Sequence, residues 1–161
     1  RERGGLANGV AGFDATGDVL ANDSDVDLAD TLHVVEIAAV TGSGSATAVA
    51  AGSTSSAGYV EVAGAYGVLR IGADGSYTYL VDEQNAAVQA LRTAADTLQD
   101  VFSYAVGDGT TQVASTLTVS VEGANDAPTL IHISNTALTE ITGPNATTAS
   151  IVDHSNSASN R

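Results

Sequence analysis

"GVLRIGADGSYTYLV", residues 67–81, is the stretch that decides the fold class. Two β-prone runs flank Ala73-Asp74-Gly75, and an Asp-Gly pair supplies the positive φ angles that a tight hairpin needs. Alternate residues of a strand share a face, so Leu69 and Ile71 fall together, as do Tyr77 and Tyr79 on the return strand. The same pattern recurs downstream. "DVFSYAV" (100–106), the turn "GDGT" (107–110) and "QVASTLTVSVEG" (112–123) read as a second hairpin. Phe102, Tyr104 and Val106 alternate on one of its strands, and Leu117, Val119 and Val121 on the other. Both strands are expected to be half-buried and central in their sheet.

Upstream, "TLHVVEI" (31–37) reads as a strand and "YVEV" (59–62) as a shorter one. The small polar stretch 39–58 between them reads as a long flexible loop with one weak strand. Short β-prone runs separated by turn residues predict an all-β sandwich or barrel. One segment departs from that pattern. "DEQNAAVQALRTAAD" (82–96) opens on Asp82, a good helix cap, and continues with Ala-rich helix formers. It predicts one short helix crossing an end of the sheets, with Ala87, Val88 and Leu91 turned toward the core.

"NDAP" (125–128) stops the last strand, "TLIHI" (129–133) starts another β-prone run, and the remainder is rich in Ser, Thr and Asn. The expected organisation is an N-terminal segment over 1–11, serving as an edge or exchanged strand, then a sandwich over 12–125. A linker and tail follow over 126–161, as the start of a next unit or as a donated strand. The chain begins at Arg1 and holds no Met, so a processed piece or fragment of a larger protein is expected.

Composition removes several function classes. Hydrophobic residues make up 43% and charged residues 15% of 161, which is too apolar for a disordered tail. No apolar run is long enough for a membrane helix. Nineteen Asp and Glu against five Arg, with no Lys, give a net charge of -14, which disfavours nucleic acid and anionic membrane surfaces and attracts cations. Without Cys there is no disulfide, thiolate nucleophile or Cys-ligated zinc.

The cations have an obvious place to go. "ANDSDVDLAD" (21–30) puts Asp23, Asp25, Asp27 and Asp30 within eight positions with no basic residue among them. Alternate residues of an extended chain point the same way, so the D-x-D-x-D spacing can converge three carboxylates on one point. Ca²⁺ takes six to eight hard oxygen ligands, so such convergence is costly without a cation and favourable with one. The EF-hand pattern fails, since Leu28 and Val34 stand where it needs Gly and Glu. Asp74 and Asp108 lie in Asp-Gly turns; Asp74 reads as a turn residue, and Asp108 is retained as a candidate ligand. Catalytic constellations do not emerge: no G-x-S-x-G nucleophile elbow, no phosphate loop, and His33 sits inside a strand.

Three segments in order, "ATGDVLANDSDVDLADTLHVVEI", "GAYGVLRIGADGSYTYLVDEQNAAVQAL" and "DVFSYAVGDGTTQVASTLTVSVEGANDAPTL", together resemble the VCBS repeat. This is the bacterial cadherin-like module of very large secreted adhesins, many of them exported by type I secretion as RTX-type proteins. The resemblance spans about residues 15–130. It implies an extracellular Greek-key β-sandwich of immunoglobulin or cadherin type, stiffened by Ca²⁺. Asn22, Asp23, Asp25 and Asp27 fall on the family's acidic opening. Asn125 and Asp126 fall on its closing linker, similar to the Asn-Asp pair that holds calcium between cadherin domains. The expected function is a non-enzymatic, calcium-stabilised module of a bacterial cell-surface adhesin or extracellular fibre, serving extension, adhesion or biofilm formation. Its expected partners are neighbouring copies or repeats and a host or matrix surface ligand. The sequence after Pro128 is too short for a second module, which raises a rival: a filament subunit joined by strand donation through "TLIHI" or the N-terminal segment. A carbohydrate-binding sandwich ranks below both, because the few aromatic residues fall mostly at core-like strand positions.

Overall fold

Period-2 alternation closes into two facing antiparallel sheets. The computed structural model describes residues 1–6, 8–26, 30–41 and 44–128, all within one compact unit, Arg1–Thr129. Ten strands follow in chain order: β1 (Gly5–Leu6), β2 (Ala15–Asp18), β3 (His33–Ala39), β4 (Thr47–Ala48), β5 (Val60–Ala63), β6 (Gly67–Ile71), β7 (Ser76–Val81), β8 (Thr97–Gly107), β9 (Gln112–Glu122) and β10 (Asp126–Ala127). One sheet has the order β2-β7-β6-β5 and the other β4-β3-β8-β9; β1 and β10 form a separate parallel pair.

The hairpin that opened the reading is present. Leu69 pairs with Tyr79 and Ile71 with Tyr77 across β6 and β7. Gly75 takes φ 85° in the turn, where a side chain would be strained. Leu69, Ile71 and Tyr79 are fully buried and face Val34, Ile37, Phe102, Val119 and Val121 of the other sheet in one apolar cluster. The Tyr79 and Phe102 rings meet edge-on with centroids 6.2 Å apart.

The registers fix two ends of the sandwich. Asp18 pairs with Ser76, Val60 with Ile71, and His33 with Gly107, so the loops 19–32, 50–59, 72–75 and 108–111 share one end. Ala63, Gly67, Val81, Thr97 and Glu122 lie toward the other. We call these the loop end and the linker end.

Two expectations need correction. Residues 82–96 form a chain of turns, not a helix. Side-chain oxygens capture the amides that a helix would need: Asp82 accepts from Gln84 N, Asn85 from Ala87 N, and Asp96 from Arg92 and Thr93 N, all at 2.9–3.1 Å. Val88 and Leu91 still plug the core as expected. β8 is central but β9 is an edge strand, paired with β8 alone. The long strand β9 does end at Glu122, ahead of Asn125-Asp126, and beyond it Asp126 and Ala127 pair with Gly5 and Leu6.

The loop at 39–58 contains the weak strand, β4, paired to β3. Beyond it the buried Ser53 ties the loop to the β6–β7 turn, accepting from Ala73 N at 2.9 Å while its own hydroxyl donates to Ala50 O at 2.6 Å. Asp27 and the "TLIHI" run lie outside the described residues.

Candidate functional site

The residues picked out from the sequence divide between the two ends. At the loop end, Asn22, Asp23, Asp25 and Asp108 line one open cleft of about 420 Å³, together with Leu32, Val106, Thr111 and Val113. Asp30 is exposed on the same loop. At the linker end, Asn125 and Asp126 line a separate cleft with Gln89 and Arg92. Since one module's ends are a strand length apart, these two groups cannot serve one ion within a single copy. Among the described residues no three His, Asp or Glu side chains converge tightly enough to hold a metal.

One of the loop-end candidates, Asp108, is occupied by local donors, as are its neighbours Asp18 and Asp74. Asp108 accepts from Thr110 N and Thr111 N at 2.6 Å each and from Thr111 Oγ1 at 2.8 Å. These donors hold its carboxyl down to about 2. Asp18 accepts from Leu20 N, and Asp74 from Ser76 N and Oγ, as turn residues do.

The linker end holds a group that the sequence did not flag. Glu2 is 1% exposed. The N-terminal segment carries it inward: Glu2 N donates to Glu122 O, Gly5 N to Asn125 O, and Gly4 N to Val10 O. Glu2 Oε1 accepts from Ala124 N at 2.9 Å, but Oε2 is buried with no hydrogen-bond partner among the described residues. Burial raises its carboxyl above the ordinary range. The Ala124 amide and the chain's amino terminus pull the other way, while the nearby Asp126 and Glu83 carboxylates add to the rise. Glu83 is itself anchored, accepting from Arg3 N at 3.1 Å through both oxygens. Glu2, Glu83 and Asp126 thus place three carboxyl groups about the linker, the first of them on a segment expected from sequence to be an edge or exchanged strand. A lone Glu in a charged terminal tripeptide gives no periodic signal, which is why sequence reasoning missed it.

A second buried carboxylate was missed as well. Asp100, on β8, is fully buried and bridges the sheets. Its Oδ1 accepts from Thr41 Oγ1 and Ala65 N, and its Oδ2 from Tyr66 N and the Tyr79 hydroxyl at 2.5 Å. Burial, then the bond to Asp100, pushes the Tyr79 hydroxyl far above its usual range. Gly64 is required beside it, since a Cβ there would collide with Asp100 Oδ2. With every oxygen served, Asp100 is a structural cross-tie with nothing left to offer a ligand.

Against known proteins, the family model of the bacterial cadherin-like domain matches residues 2–123, and the chain belongs to that family. No curated protein and no solved structure matches it. Domains of this family are typically non-enzymatic structural or adhesive modules, extracellular in character.

Proposed function

We propose that this bacterial cadherin-like domain is a calcium-stiffened extension module of a bacterial surface adhesin or extracellular fibre, with its ions held where one module meets the next. The observation that carries the reading is the unpartnered, buried Oε2 of Glu2 beside Asp126 and Glu83. A buried carboxylate among like charges must take up a proton or a cation. Hard oxygen donors with no thiol or imidazole among them suit Ca²⁺. Glu2, Asn125 and Asp126 would contribute oxygens on the linker side, where among the described residues no three carboxylates of one copy converge tightly enough to hold an ion by themselves. That set is short of the six to eight oxygens calcium takes. The loop end of a neighbouring copy, with Asn22, Asp23, Asp25 and Asp108, offers the remainder. A bound ion supplies charge neutralisation and a rigid joint; the empty joint repels itself and flexes. Extracellular modules bind calcium with dissociation constants of about 10⁻⁴ to 10⁻³ M, so the site fills outside the cell and stays empty inside. Extension, adhesion and biofilm formation follow from a rigid array of such joints.

The test is thermal unfolding in calcium, magnesium and EDTA, beside Glu2→Gln and the Asp25→Ala/Asp27→Ala pair. Calcium should raise the melting temperature of the parent, and Glu2→Gln should lose that increment. Equal melting temperatures in calcium and EDTA would sink the reading.

A further inference from the structure

The four edge strands of the two sheets differ in length and charge. β9 is eleven residues long and pairs with β8 without a register shift from Gln112 to Glu122. Its outer side is met only at the far end, where Glu2 N reaches Glu122 O; among the described residues nothing pairs with 112–121. Edge strands are normally blunted by shortness, charge, Pro or a bulge. The other edges here are blunted: β2 has four residues and carries Asp18, β5 has four and carries Glu61, and β4 has two. β9 is long and regular, and its one charge, Glu122, stands at its last position. "QVASTLTVSV" (112–121) contains no charge, Pro or Gly in a chain of net charge -14. Neighbouring β8 turns Thr97, Gln99, Val101, Ser103 and Ala105 to the same outer face, again uncharged.

We propose that β9 is an assembly edge that pairs antiparallel with β9 of a second copy, joining two four-stranded sheets into one of eight strands. The choice of a copy follows from charge. A basic partner would be drawn to carboxylates; residues 112–121 carry none, and the Asp23, Asp25 and Asp108 that share a cleft with Val113, Ala114 and Ser115 lie at the loop end of the strand. Two copies that each carry -14 meet with least repulsion along an uncharged strip. The strand is also self-complementary. Val119 and Val121 face the core, so odd residues share the inner side, where Val113 is left 70% exposed. A two-fold axis at Thr116 sets Val113 beside the partner's Val119 and Ala114 beside the partner's Thr118, while Glu122 stays outside the paired stretch. Alternate residues of the strand direct both backbone groups outward, so the pairing satisfies them along its length. It needs no calcium, and so stands or falls apart from the joint proposed above.

The experiment is sedimentation of the full chain in EDTA at low and high salt. Screening shortens the reach of the like charges from roughly 30 Å at 0.01 M to about 3 Å at 1 M, so the dimer should tighten with salt. Ala114→Lys/Thr118→Lys opposes lysines across the axis and should weaken the dimer at least tenfold while leaving the melting temperature near the parent's. The chain has no Cys, so Thr116→Cys carries a single thiol and should oxidise to a covalent dimer, whereas Ser120→Cys, far from the axis, should not. A monomer at millimolar concentration in high salt overturns the proposal. So does association that ignores the lysine pair, or equal crosslinking at 116 and 120. Association abolished by Ile131→Lys/Ile133→Lys but not by the β9 lysines would assign assembly to a donated tail strand instead.

Discussion

Asp100 and Glu2 are both buried carboxylates without a salt-bridge partner among the described residues, yet their surroundings differ in kind. Asp100 sits between the sheets toward the linker end and accepts from four donors on three separate segments. Glu2 sits at the linker end, accepts from one amide, and is left with a bare oxygen and two carboxylate neighbours. Burial is common to both, so burial does not tell structure from binding. The count of donors does: a saturated carboxylate fastens the fold, and an unsaturated one waits for a ligand.

The comparison can be broken most easily from the Asp100 side. Asp100→Ala strands the buried Tyr79 hydroxyl and two part-buried amides, each worth about 1–3 kcal/mol, so urea unfolding should show a loss of about 3–5 kcal/mol whether or not calcium is present. Calcium dependence comes next. At a hundred times its dissociation constant the ion should add roughly 2.7 kcal/mol to the parent and nothing to Glu2→Gln; an Asp100 variant that lost the calcium increment would erase the distinction. Tyr79→Phe removes one donor of four and should cost about 1–2 kcal/mol, again independent of calcium.

The smallest effect, and the sharpest, is the pH profile. The folded-state pKa of Glu2 is raised, so its contribution is fully present below the ordinary carboxylate value of 4.5 and is lost as pH rises through the higher folded value. Stability in EDTA should therefore decline as pH rises through that window, and Glu2→Gln should flatten the decline. Asp108 runs the other way. Its contribution is present above 3.8 and is lost as pH falls through about 2, so Asp108→Asn should remove part of the acid limb alone. If Glu2→Gln left the EDTA profile unchanged, its carboxyl would not be the unsatisfied group that the geometry describes.

Much of the core was legible because it is periodic. Leu69, Ile71, Tyr79, Phe102, Tyr104, Val119 and Val121 were named from alternation and are buried. Val88 and Leu91 were named from a helical spacing and are buried too, although the backbone around them is a run of turns. An apolar anchor survives a wrong assignment of secondary structure, since its burial depends on what it packs against. The acidic opening was legible as composition, and the Asn125-Asp126 linker through the family resemblance. Their separation to opposite ends was not, because it depends on the strand registers.

The sequence by itself determined the strands with strong alternation, the Asp-Gly turn, the excess of negative charge and the acidic residues available to a cation, because each is a local property of consecutive side chains. Only the tertiary structure decided which acids are satisfied, that Glu2 is carried beside Asp126, that Asp100 ties the sheets, and that the uncharged strand β9 stands at an edge. Those outcomes are set by which distant segments meet, and an unpaired oxygen or an unpaired edge is defined by what does not come to meet it.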